Sequence, residues 1–346
     1  MKKLRILPAA LAAAILLSVR VLAAPSAELV RVFETEGVLY TYVSITGSDS
    51  PITKAEAKLG QQSFPASGPL ETVRQAGFPV EYLLLVDNSN SMPPFREEAA
   101  AFVRTLTEAN GENTSFSLAS FGDAFTLLGE DLGAEALIAG MDDIPMDETV
   151  TRLNTSIGQA LDYFETVPRT GNQLRCLVVL SDAVQYDPQG GIPYEELAQR
   201  LSRSDVMLHS VGLGGDDAAL ERLSGLALAS GGSHQNVSGT ESAAAAAQSL
   251  ARSCGDLLVT GFDISTYRPV GGEEPVSVTF ASGGELVCRG QGTVELFPAE
   301  EEAQPAPAGP EETPQVPPAG QTQSAPSGGE PAGEPADDPP ILPIAA

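Results

Sequence analysis

Tryptophan is absent from this 346-residue chain, histidine occurs twice and cysteine three times. Lys and Arg number 19 against 46 Asp and Glu, a formal net charge of −27. A chain so acidic repels nucleic acid and anionic lipid; the charge suits solubility outside the cell and attraction for cations. Aromatics are only 5% of the residues while hydrophobic residues reach 42%, so the core is expected to be mostly Leu, Val, Ala and Ile. No G-x-S-x-G elbow accompanies the two histidines, and no G-x-x-x-x-G-K-[ST] phosphate loop is present; GLGG at 212–215 reads as a turn leaving a strand.

The amino terminus has the parts of a secretory leader. Lys2, Lys3 and Arg5 precede an apolar run from about Ile6 to Val19, and Val21-Leu22-Ala23 offers small residues for cleavage. Pro8, Arg20 and the short apolar length argue against a membrane-spanning anchor. Loss of residues 1–23 removes four positive charges, leaving 15 basic against 46 acidic residues, a net charge near −31. In an exported chain two of Cys176, Cys254 and Cys288 can pair; Cys176–Cys254 and Cys254–Cys288 are both open, as are three unpaired thiols, and the spacing matches no zinc motif.

At the other end, residues 299–346 contain no Lys, Arg or aromatic residue and are dense in Pro, Glu, Gln, Gly and Ala. That composition buries too little apolar surface to offset ordering entropy, and a disordered acidic spacer is expected there. No membrane insertion of the mature chain is expected.

Between these ends, residues 80–255 alternate short apolar runs with helical patterns. VEYLLLVD (80–87), TSFSLASF (114–121), QLRCLVVLSD (173–182), DVMLHSVGL (205–213) and the weaker SHQNV (233–237) read as strands. LLLV and CLVVL are apolar without alternation, as strands covered on both faces must be. Helical patterns lie at 93–109, 155–167, 193–204, 217–230 and 241–253, with Thr240 as the expected cap of the last. Strand–helix alternation implies right-handed crossovers: an α/β fold, doubly wound, with a mostly parallel, Rossmann-like sheet. The flanks at 24–79 and 256–298 instead carry alternating runs such as GVLYTYVSI and PVSVTFAS with Gly and Pro turns, the mark of antiparallel strands. Two small β segments or one β-sandwich built from both flanks fit; about 50 residues make a poor independent core, which favours the sandwich.

Asp87 ends the first apolar strand and Asp182 ends the CLVVL strand. Ligands of doubly wound sheets bind outside the carboxyl ends of strands where the strand order reverses, so neighbouring strands would bring both acids to one crevice. Ser89 and Ser91 follow Asp87 at alternate positions. Two carboxylates with hydroxyls form an all-oxygen set suited to a hard cation such as Mg²⁺. An EF-hand is rejected, because Met92 stands where that loop needs glycine, Pro93 and Pro94 interrupt it, and a strand precedes it. His209 alternates within a strand and reads as core packing, and Asp142, Asp143, Asp147 and Glu148 are expected in a loop rimming the site.

Asp87-x-Ser89-x-Ser91 after an apolar strand resembles the metal-ion-dependent adhesion site of von Willebrand factor A domains, the family that includes integrin I domains. Thr155-Ser156-Ile157-Gly158-Gln159-Ala160-Leu161 matches that family's T-x-x-G-x-A-L helix start, and Asp182 its aspartate after an apolar strand. The chain departs from the family where Arg152, Leu153 and Asn154 replace glycines and where Ala183 replaces the glycine after the last aspartate. The resemblance implies that Asp87, Ser89, Ser91, Thr155 and Asp182 surround one Mg²⁺ or Mn²⁺, and that a protein or glycoprotein ligand completes the shell with a Glu or Asp. It also implies that the last helix shifts on binding. The expectation is a non-enzymatic adhesion module, secreted or on the cell surface. A secreted metal-assisted hydrolase and a structural envelope protein with a stabilising metal are the alternatives.

Overall fold

A computed structural model describes residues 24–297 apart from Asp49, Thr170 and Gly215. The expected leader at 1–23 and the expected acidic spacer at 299–346 lie outside the described residues. In chain order the elements begin with β1 (Ser26–Thr35), β2 (Val38–Thr46), β3 (Lys54–Leu59), β4 (Gln62–Pro65), β5 (Glu71–Thr72) and the one-turn α1 (Val73–Ala76). The alternating region follows: β6 (Val80–Asp87), α2 (Arg96–Ala109), β7 (Thr114–Phe121), β8 (Phe125–Gly129), α3 (Ala134–Asp143), α4 (Leu153–Thr166) and β9 (Leu174–Ser181). It continues through α5 (Tyr194–Arg203), β10 (Val206–Leu213), α6 (Asp217–Ala229), β11 (His234–Val237) and α7 (Thr240–Gly255). The chain then runs into β12 (Leu258–Asp263), β13 (Gly272–Ser282) and β14 (Glu285–Leu296).

The central sheet has the order β11-β10-β9-β6-β7-β8 and is parallel except for β8, which returns antiparallel along β7. From β6 the chain steps to β7 on one side and later to β9 on the other, so the order reverses between β6 and β9. Every residue of β6 and of β9 is buried. Period-two geometry explains how one run serves two cores. Tyr82, Leu84 and Val86 pack with Phe102, Val103 and Leu106 of α2 and Leu250 of α7, while Leu83 and Leu85 pack with Ile157 and Leu161 of α4 and Leu197 of α5. Each such leucine, fully buried, contributes about 2 kcal/mol of transfer free energy.

Two further sheets, β1-β2-β12-β5 and β14-β13-β3-β4, are antiparallel and draw strands from both flanks. β2 pairs with β12, and β3 with β13. Leu39, Val43, Ala57, Leu59, Phe262, Val278 and Phe280 close one apolar core between them. The alternating region is thus spliced into a two-sheet body; β5, just before it, pairs with β12, just after it.

Several details differ from the sequence expectation. Pro93–Phe95 form a 3₁₀ turn and α2 starts at Arg96, because prolines lack the N–H that the interior of a helix uses. β8 and α3 had no expected counterpart. Thr240 is the first residue of α7 rather than its cap; Gly239 caps it in a left-handed conformation, φ 87°. Among the described residues no helix is long and apolar enough to cross a membrane.

Candidate functional site

β6 and β9 run in register from Val80–Leu174 to Val86–Leu180, which sets Asp87 beside Ser181 and Asp182 one residue beyond. Asp87 is fully buried and Asp182 and Ser89 nearly so. One oxygen of Asp87 accepts the Ser89 backbone N–H at 2.9 Å and the other accepts the Ser181 hydroxyl at 2.6 Å. Ser181 in turn accepts the Ala183 N–H at 2.9 Å, so its hydroxyl hydrogen is free for Asp87. Ser89 and Ser91 hydroxyls lie 3.0 Å apart on the outgoing loop, which Met92 anchors in the core. Asp182 accepts the Val184 N–H at 3.0 Å. Burial pushes the Asp87 carboxyl up to about 6; its bonds from Ser181 and Ser89 oppose the rise and the charge of Asp182 adds to it.

A third loop joins these two through its backbone. Glu148 N–H donates to the Asn88 carbonyl (3.2 Å) and its carbonyl accepts the Asn90 N–H (2.8 Å). Thr151 and Tyr186 exchange two backbone bonds of 3.0 and 2.9 Å. The segment from Glu148 to Thr151 therefore lies between the Asp87 and Asp182 loops and leads into α4, whose first turn carries Thr155. Its hydroxyl donates to Asp187 Oδ2 at 3.4 Å and accepts the Ile192 N–H at 3.4 Å. None of its hydrogen bonds goes to Asp87 or Asp182. Gly191 makes room for this contact: at φ +50° a Cβ there would fall 2.3 Å from Asp187 Oδ2 and 2.7 Å from Thr155 Oγ1.

Four residues of the site had no place in the sequence reading of it as ligands or supports: Ser181, Glu148 as a backbone tie, Asp187 and Arg152. Arg152 pairs with Asp123 (2.9 Å) and, at 3.8 Å, with Asp187, whose side chain is almost fully buried. The signal for Ser181 was available, since it directly precedes Asp182 on a buried strand end. The Arg152–Asp187 pair spans two loops and leaves no local pattern. Of the four acids expected to rim the site, Asp142 and Asp143 close α3, where Arg96 donates to the Asp142 carbonyl at 3.0 Å. Ala183 occupies a left-handed conformation, φ 62°, the region that glycine tolerates at no steric cost. The hydrogen bonds of His209 run to Ser233 and Cys254, and those of His234 to Ser210 and Asn236.

The donor set is oxygen throughout, and a buried carboxylate with a second acid beside it calls for positive charge. The residues therefore fit a hard divalent cation on the chemistry of the set.

The sheet order and loop cluster define a Rossmann-like α/β domain with the candidate site at the strand ends. Residues 83–252 match the family model of the von Willebrand factor type A domain, and the chain carries a domain of that family. Among solved structures, the chain is similar to an aerotolerance-related membrane protein from Bacteroides fragilis NCTC 9343 (16% identity, 50% of this chain and 99% of that one, TM-score 0.41). It is also similar to a von Willebrand factor type A protein from Catenulispora acidiphila (13% identity, 79% and 73% covered, TM-score 0.45). A third similar structure is manganese-loaded TRAP from Plasmodium vivax (13% identity, 71% and 100% covered, TM-score 0.43). No curated protein matches the chain.

Proposed function

We propose that residues 80–255 are a divalent-cation-dependent protein-binding module of an exported, cell-surface protein. The observation that carries this reading is the fully buried carboxylate of Asp87, held beside Asp182 at the switch point with only hydroxyl and amide donors for company. Asp87, Ser89, Ser91, Thr155 and Asp182 would hold Mg²⁺ or Mn²⁺. Two carboxylates offset the charge of the ion and the hydroxyls add none, so a bound cation supplies a Lewis-acidic position for a Glu or Asp of a protein or glycoprotein partner. The chain's own part is orientation. Ser181 fixes the Asp87 carboxylate, the Glu148 ladder fixes the serine loop, and the Thr151–Tyr186 pair holds the other two loops together.

Calorimetric titration of the full chain with MgCl₂ or MnCl₂ tests the site, with one ion bound per chain and none by Asp87→Ala as the expected result. A pull-down from host or envelope extract tests the function. Partner retention that survives EDTA, or that survives Asp87→Ala, would sink the proposal.

A further inference from the structure

A second cluster lies on the α2/α7 side of the same sheet, in the core beneath α7. Cys176 of β9, His209 of β10 and Cys254 in the last turn of α7 are all buried, and their Sγ and ring nitrogen atoms lie within 4.8 Å of one another. The two sulfurs are 4.0 Å apart, and Cys254 Sγ is 3.7 Å from His209 Nε2.

The hydrogen bonds of His209 decide between a metal and a dithiol. Its Nδ1 accepts the Ser233 backbone N–H at 3.1 Å and lies 3.0 Å from the Ser233 hydroxyl, which can donate to the same nitrogen, so in the neutral ring the hydrogen sits on Nε2, directed at Cys254. A metal would need the lone pair of Nε2 and a hydrogen on Nδ1, facing another hydrogen. Cys254 therefore receives donors: the Nε2–H and the Cys176 thiol. Tyr82, whose buried hydroxyl has no hydrogen-bond partner at normal distance among the described residues, lies against the same sulfur. These contacts, the Cys176 thiol first, hold the Cys254 thiol well below the usual thiol range, while burial pushes Cys176 up. Cys254 is also in the wall of an open pocket of about 360 Å³ between α7 and the α1 region, with Arg74, Phe78 and Asn110.

We infer that Cys176 and Cys254 are a peroxide-sensitive dithiol that closes to an intrachain disulfide, with Cys254 as the attacking sulfur and Cys288 as a bystander. Both sulfurs are buried, which restricts attack to an oxidant little larger than water arriving through the pocket that Cys254 lines. The Cys254 thiolate attacks one oxygen of hydrogen peroxide, breaking the O–O bond, giving a sulfenic acid and releasing hydroxide. The Cys176 sulfur, losing its proton, then attacks Cys254; the S–S bond forms and the hydroxyl leaves as water. Two thiols are oxidised and one peroxide is reduced to two waters. Closing to a bond of about 2 Å asks roughly 1 Å of travel from each sulfur. The product ties the third residue of β9 to the last turn of α7, four residues before β12 begins, and so clamps the point where the spliced region returns to the two-sheet body.

The test treats the reduced full chain with hydrogen peroxide, unfolds it and alkylates it. Expected are one alkylated cysteine, Cys288, in place of three, one tryptic product joining the Cys176 and Cys254 peptides, and a higher Tm that dithiothreitol reverses. Cys288→Ser should leave the linkage intact. His209→Gln should slow it at neutral pH and move the pH of half-maximal rate upward, which a packing role alone would not do. Three alkylated thiols after peroxide, sulfinic acid on Cys254 with Cys176 untouched, or zinc retained stoichiometrically and lost in Cys254→Ser would each overturn the inference.

Discussion

The Ser181 hydroxyl donates to Asp87 Oδ2 at 2.6 Å across adjacent parallel strands, and the two residues are 94 positions apart in the chain. This bond links the two halves of the candidate site through their side chains, beside the backbone ties of Glu148 and Thr151. Ser181→Ala leaves the Asp87 carboxylate buried with one donor fewer. We expect a loss of about 1–3 kcal/mol of stability above pH 7, read by urea denaturation, and weaker Mg²⁺ binding in calorimetry. An unchanged midpoint would show that the bond contributes nothing net.

The raised carboxyl of Asp87 makes the stability of the ion-free chain depend on pH. Its value is about 6 in the fold against an ordinary 3.8, so between these values the folded chain holds a proton that the unfolded chain has lost. Stability from this group is present below 3.8 and declines as pH rises through about 6, by roughly 3 kcal/mol in all. Melting in EDTA from about pH 5 to about pH 8 should show a fall that Asp87→Asn largely removes and that saturating Mg²⁺ offsets, because the ion takes the ionised form. Equal pH slopes for the two proteins would refute the assignment.

Ala183 provides a test of the departure from the family pattern. A left-handed alanine costs about 1–2 kcal/mol relative to an ordinary conformation, and glycine there gives back part of the gain as unfolded-chain entropy. Ala183→Gly should raise stability by about 1 kcal/mol without weakening metal binding. A destabilised variant would mean that the Ala183 methyl, buried in the core beside α4, matters more than the backbone.

Arg175 on β9 is buried, pairs with Glu81 of β6 at 3.3 Å, and donates to the carbonyls of Phe164 (2.9 Å) and Val167 (2.7 Å) at the end of α4. It thereby satisfies helix-end acceptors as well as a buried acid. Arg175→Ala strands both and should cost about 3–5 kcal/mol. The companion change Glu81→Gln should cost less, since burial already pushes the Glu81 carboxyl upward despite Arg175. Thermal denaturation of the two variants gives the ranking.

The parts of this molecule that were legible in its sequence are those written in residue type at short range. LLLV and CLVVL announce two-sided strands, and each delivers its terminal aspartate to the same crevice because β6 and β9 are adjacent. β8 was not legible, since FTLLG is a short edge segment of mixed burial. The loop architecture was hidden for a different reason. The Glu148 and Tyr186 ties are made by backbone groups, which every residue possesses, so no side-chain pattern marks them. The Arg152–Asp187 contact and the approach of Cys176 to Cys254 join residues that only the tertiary fold brings together.

The splice of the α/β region into the two-sheet body has a mechanical consequence. Entry and exit lie side by side, with β5 paired to β12, near the amino end of β6, whereas Asp87 lies at its carboxyl end. A partner gripped at that far end would pull lengthwise along a strand of eight residues, about 26 Å. Such a load shears the ladders that β6 makes with β7 and β9, straining many bonds together instead of peeling them one by one. The strands best able to resist being drawn out are the two that end at the candidate site.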